Sequence, residues 1–78
     1  MSGIIATFKT RPEFYEAEES GKKPCTLRII DEREVLHVDI IRMECVGRPE
    51  YFERVVTWQG TVMSGLGKAL VLYCWKSK

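Results

Sequence analysis

Lys23, Thr26 and Arg28 are the residues of this chain whose types and spacing are best suited to chemistry. A β-strand alternates its side chains, so Thr26 and Arg28 share one face while Cys25, Leu27 and Ile29 take the other. An ammonium, a hydroxyl and a guanidinium on one polar wall can grip a phosphate or a carboxylate, Arg28 as a planar fork and Lys23 as a point charge. Lys22 adds to the basic spot, and Lys9 and Arg11 join it at the entrance of the preceding segment. In a partly dry cleft beside Arg28, Lys23 would also be placed to serve as a general base. The competing reading is that Lys22 and Lys23 balance an acidic helix that holds four glutamates between Glu13 and Glu19, and the sequence weighs the two equally.

Other constellations are weaker. Trp58, Trp75, Tyr15, Tyr51 and Tyr73 offer rings on which a single-stranded base could stack next to cations. Most belong in the core of so small a protein, and Tyr51, beside Pro49 and among charged residues, is the aromatic expected at the surface. Glu50 and Glu53 are the carboxylates nearest to it. The glycines between Gly60 and Lys68 do not make a phosphate-binding P-loop, because the residue after Gly65 is Leu66 rather than lysine. They read instead as suppliers of turn dihedrals or of close approach to a neighbour. His37 with Asp39 and a cysteine can be drawn as a catalytic set, but a lone histidine on the polar side of a strand is ordinarily solvated. No second histidine completes a metal site, so no metal or cofactor is expected.

The elements that must position these residues follow from local patterning. Residues 3–9 alternate as a first strand. Thr10 with Glu13 makes a capping-box pattern, and Pro12 suits a first turn, so a short helix over 12–19 follows, ended by Ser20 and Gly21. Residues 25–30 read as the second strand. Residues 31–34 are a polar turn, and 35–46 are the longest strand candidate, with a change of hydrophobic register that implies a bulge near Ile40 and Ile41. Gly47-Arg48-Pro49 breaks the sheet, residues 50–53 read as one helical turn, and 54–58 as a strand. Gln59-Gly60 reads as a turn after which 61–63 pair back, and 64–68 as a glycine-rich loop. Residues 69–75 are apolar on both faces and therefore central. The lysine-rich end, 76–78, is expected to fray.

Seventy-eight residues allow one domain, spanning 1–78. A chain of this size buries only about 60% of its unfolded surface, so it is modestly stable unless it dimerises. Twelve basic against eleven acidic residues leave a net charge of +1, which gives no global field for a polyanion, so any nucleic-acid contact depends on a local patch. Three widely separated cysteines without a Cys-x-x-Cys argue against a disulfide framework and fit a reducing cytoplasm. No basic flank precedes the first apolar stretch, and the longest apolar run is too short for a bilayer, so no membrane association is expected. Together these readings give an α+β, mostly β protein: a small, strongly bent sheet carrying one short N-terminal helix.

The run Ser20-Gly21-Lys22-Lys23-Pro24-Cys25-Thr26-Leu27-Arg28 resembles the ASCH family of the PUA-like superfamily, especially its small phage and prophage members. Gly21, Lys23, Thr26 and Arg28 match that family's Gly-x-Lys-x-x-(Glu or Thr)-x-Arg spacing. Pro12 to Tyr15 is similar to the helix start of those members, and Gly65 to Trp75 to their last strand. The chain departs from the pattern in having Thr26 where many members have glutamate, in Pro24-Cys25, and in a shortened segment before Val35. The resemblance implies a small PUA-like β-barrel with a cleft at the motif, and a nucleotide or single-stranded RNA held by Lys22, Lys23, Thr26, Arg28 and Tyr51. In one branch it implies hydrolysis of the acetyl amide of N4-acetylcytidine, with Lys23 moving the proton, Thr26 as nucleophile or orienting group, and Glu50 or Glu53 as the acid. A third reading, separate from the resemblance, is a phage host-factor inhibitor that uses this fold as a scaffold and presents the acidic helix or Tyr51 to a host protein. The oligomeric state is left open between monomer and homodimer.

Overall fold

The computed structural model describes residues 3–76. In chain order the elements are β1 (Ile5–Thr10), α1 (Pro12–Glu19), β2 (Cys25–Asp31), a 3-10 turn (Glu32–Glu34), β3 (Ile40–Cys45), β4 (Tyr51–Met63) and β5 (Lys68–Trp75). The strands form one sheet in the order β1-β3-β4-β5-β2. β1 and β3 run parallel, and the remaining neighbours are antiparallel. The fold is α+β and mostly β, a sheet curled into a half-barrel around one short helix.

The curl originates in β4. This 13-residue strand pairs with β3 through its first half and with β5 through its second, and the register shifts between Val56 and Trp58. One extra residue in a strand bends it and reverses which face the following side chains take. Before the shift Phe52 points into the core; after it Trp58, opposite Cys74, is turned outward. The concave side holds Ile41 and Met43 of β3, Phe52 of β4, and Val71, Tyr73 and Trp75 of β5. Tyr15 of α1 meets Phe52 edge-on at 5.3 Å, and Phe52 meets Trp75 edge-on at 6.2 Å, the geometry that ring quadrupoles favour.

Several local expectations are corrected. Residues 35–46 are not one bulged strand, because only Ile40–Cys45 pairs, and it alternates regularly with Ile41, Met43 and Cys45 buried. The bulge lies in β4 instead. The segment before β3 is held by side chains: Gln59 Nε2 donates to the Leu36 carbonyl at 2.9 Å, and Gln59 Oε1 accepts from the Val38 N–H at 3.1 Å. Asp39 Oδ2 accepts from the Ile4 N–H at 2.9 Å. Gln59 and Gly60 are therefore strand residues rather than a turn, and no helical turn forms over 50–53, of which 51–53 open β4. Thr10 does not cap α1. It ends β1 opposite Cys45, and Arg11 takes the cap position without a side-chain bond. The glycine readings separate by position: Gly65 and Gly67 adopt φ of +80° and +79°, which L side chains rarely adopt, whereas Gly60 is the close approach, lying under the Trp58 indole. The expected fraying at the C-terminus falls in part on 77 and 78, outside the described residues.

Candidate ligand cleft

The cleft is built by the turn from α1 into β2. Ser20 ends the helix, Gly21 turns the chain at φ 91°, and the Lys23 N–H donates to the Ala17 carbonyl at 3.0 Å. A left-handed glycine followed by a bond back into the last helical turn reverses the chain tightly. Lys23 is thereby folded over the helix. Its Nζ lies 3.3 Å from Glu18 Oε2 and 4.9 Å from the centre of the Phe14 ring. From this turn β2 proceeds with Thr26 and Arg28 inward, opposite Tyr73 and Val71 of β5, and with Leu27 and Ile29 outward.

β1 and β2 are the two edges of the sheet, and a side chain spans the space between them. Arg28 Nη1 donates to the Lys9 carbonyl at 3.0 Å, and its guanidinium sits 5.1 Å from the Phe8 ring centre. Phe8 in turn packs on Tyr73 at 5.6 Å. Beside this bridge opens a cavity of about 320 Å³ lined by Lys9, Thr10, Arg11, Phe14, Glu18, Lys23, Thr26, Leu27 and Arg28. Four cations face one carboxylate, so the cavity attracts anions. Thr26 and Glu18 are 3% and 1% exposed. Glu18 Oε1 and Arg28 Nε are both buried and find no hydrogen-bond partner among the described residues. Burial pulls the Arg28 pKa below its ordinary value, and the nearby Glu18 carboxylate partly offsets this.

The structure thus brings Lys23, Thr26 and Arg28 together, and Lys9 and Arg11 with them. Lys22 is exposed and does not line the cavity. The helix charges are met chiefly elsewhere: Arg48 lies 3.9 Å from Glu16 and Arg54 3.9 Å from Glu19. Lys23 therefore answers Glu18 specifically rather than the helix at large.

Glu50, Glu53 and Tyr51 stand apart from Lys23. Glu53 is on the outer face of β4 with its carboxylate 3.9 Å from Arg42, whose guanidinium also stacks 3.7 Å from the Tyr51 ring. Tyr51 and Glu50 line a second cavity of about 470 Å³, which shares Lys9 with the first. The carboxylate that the cleft does contain, Glu18, was not singled out from the sequence. Its signal was a charged residue three positions after Tyr15 and four after Phe14, on the stripe of α1 that faces the sheet.

His37 pairs with Asp39 at 3.4 Å on the surface. Among the described residues no group of three or more His, Cys, Asp or Glu is arranged to hold a metal ion, and no helix is long and apolar enough to cross a membrane. Comparison of the chain with family models, with curated proteins and with solved structures gives no match.

Proposed function

We propose that this protein is a small cytoplasmic nucleotide- or single-stranded-RNA-binding module of the ASCH type, of phage or prophage origin, and that the cleft between β1 and β2 is its ligand site. The observation that carries this reading is the pair of buried, unpartnered atoms on facing walls of the cleft, the acceptor Glu18 Oε1 and the donor Arg28 Nε. An unpaired buried polar atom costs about 1–3 kcal/mol, so a ligand that parts the Lys23 and Arg28 side chains and presents a donor beside an acceptor gains by pairing both. The hydrogen-bonding edge of a nucleobase has that pattern. Lys9, Arg11 and Lys23 then neutralise the adjoining phosphates.

Fluorescence anisotropy with a short labelled RNA tests this. Binding weakens with salt, and Lys23→Ala weakens it on the order of tenfold while reducing the slope of log K against log salt by about 0.7, the share of one phosphate contact on a single strand. Unchanged affinity in Lys23→Ala and Arg11→Ala contradicts the reading.

The juxtaposition of Glu18, Lys23 and Thr26 in one cavity favours a second reading, hydrolysis of the acetyl amide of N4-acetylcytidine. The Glu18–Lys23 pair would take the proton from the attacking nucleophile and return it to the departing exocyclic amine: with water as nucleophile this leaves acetate and cytidine directly, and with the Thr26 hydroxyl it leaves cytidine and an acetyl ester that a water then cleaves to acetate. Release of acetate from the nucleoside, lost in Lys23→Ala, distinguishes turnover from binding. No release at high protein concentration removes this second reading and leaves the first intact.

A further inference from the structure

The convex face of β2, β5 and the second half of β4 is apolar from edge to edge. The register sets Leu27 beside Leu72 and Gly60 in one row, and Ile29 beside Leu70 and Val62 in the next. Trp58, turned outward by the bulge, lies over Gly60, where a Cβ would collide with its indole. No charged side chain interrupts these rows. Cys25 and Cys74, opposite each other at their end, do not break the apolar character, because burial and the neighbouring Cys25 push the Cys74 thiol up and keep it protonated.

Leu27, Ile29, Trp58, Val62 and Leu70 are between 40% and 69% exposed. For side chains of this size those exposures amount to on the order of 600 Å², at the upper end of the ~300–600 Å² of the largest patch on a typical monomer and somewhat below the ~800 Å² per partner of a standard stable interface. We propose that this face is covered by a second copy of the same chain, the two convex faces packing into a two-layer β-sandwich related by a two-fold axis. Three features favour a copy over a different protein. β5 is flanked on both sides by antiparallel neighbours, so the face looks alike from either strand direction and is suited to an isologous contact. Its charges are confined to one end, where Asp31 stands opposite Lys68, so they balance and set no single-sign potential with which to select a charged partner. A net charge of +1 leaves almost no repulsion between copies. Stacked sheets lie about 10 Å apart with interdigitating aliphatic side chains, for which rows of Leu, Ile and Val are fitted.

The proposal is independent of what the cleft binds. Its test is sedimentation equilibrium of the full chain under reducing conditions, from low to high micromolar concentration. The expected result is a mass rising from one to two copies of the 9.0 kDa chain and stopping there, with Ile29→Asp and Val62→Asp each raising the dissociation constant on the order of 30-fold or more. Both side chains are exposed in the protomer, so circular dichroism stays unchanged. As an independent readout, Trp58 emission shifts to the blue as the wild-type protein associates, since Trp75 is already buried. A wild-type chain that stays at one copy throughout overturns the proposal, as does open-ended association without a two-copy plateau, or association that both variants leave intact. A one-copy chain that adheres to neutral phosphatidylcholine vesicles overturns it in favour of a lipid surface.

Discussion

The two faces of β2 are opposites. Thr26 and Arg28 look into a charged cleft where four cations surround one buried carboxylate, while Leu27 and Ile29, each one residue away, look onto an apolar sheet face. A seven-residue strand with a period of two thus carries ligand chemistry on one side and a contact surface on the other. The contrast teaches that the protein separates its tasks by side-chain parity rather than by domain, as a chain of this size must. It also means that adjacent substitutions should have unrelated consequences.

The substitution expected to abolish the contrast altogether is in the shared core. Met43 is fully buried in the core cluster that residues of β3, β4 and β5 share, and Met43→Ala should lower unfolding stability by about 2–5 kcal/mol, seen as a lower denaturant midpoint. Cleft binding and association should weaken together. Selective loss of either one would mean that the two faces are supported separately.

Next in size is Ile29→Asp, which should remove association while leaving RNA affinity within about twofold of wild type, since Ile29 is exposed on the convex face and does not line the cleft and surface changes away from a site act weakly. Its neighbour Arg28→Lys should do the reverse. A lysine ammonium gathers its donors at one point and cannot reach both the Lys9 carbonyl and the place of Nε as the planar guanidinium does, so RNA affinity should fall by on the order of tenfold with the sedimentation behaviour unchanged. Crossed effects in this pair would break the parity argument.

Glu18→Gln sharpens the account of the cleft. Removing the buried carboxylate leaves a lysine that is 42% exposed and easily solvated, so the protein should melt at least as high as wild type. Affinity for inorganic phosphate should rise severalfold as discrimination among nucleotides shrinks, both measurable by calorimetry.

The smallest expected effect is on the outer rim. Hydrogen bonds from Arg33 hold the Asp31 carboxyl below its ordinary value of 3.8. The stability this contributes is present above that ordinary value and is lost as pH falls through the lowered one. Arg33→Ala should return the Asp31 titration, followed by NMR, toward 3.8 without altering either face at neutral pH.

Much of this arrangement was legible in the sequence for a physical reason. The period-two pattern of 25–30 assigned Thr26 and Arg28 to one wall, and the Gly21 stop positioned Lys23 near them, because both signals are local. What could not be read was decided by tertiary contacts. Helical spacing puts Glu18 on the stripe of α1 shared by Phe14 and Tyr15, but that its carboxylate enters the cleft is decided only when the sheet lies against the helix. The bulge in β4 leaves no break in hydrophobic alternation around Val56 to mark it, and the Gln59 side chain replaces strand pairing for 36–38 from more than twenty residues away. Glu53 and Tyr51 were attractive as exposed polar and aromatic residues, yet Arg42 engages both on the far side of the sheet.

The most direct test of the cleft is an amide NMR titration of the full chain with a short single-stranded RNA, following Glu18, Lys23, Thr26 and Arg28 against Leu70 and Val62 of the convex face. The account predicts saturable shifts concentrated at the first four, with the last two unmoved. Shifts confined to the convex face, or no shifts at all, would contradict it.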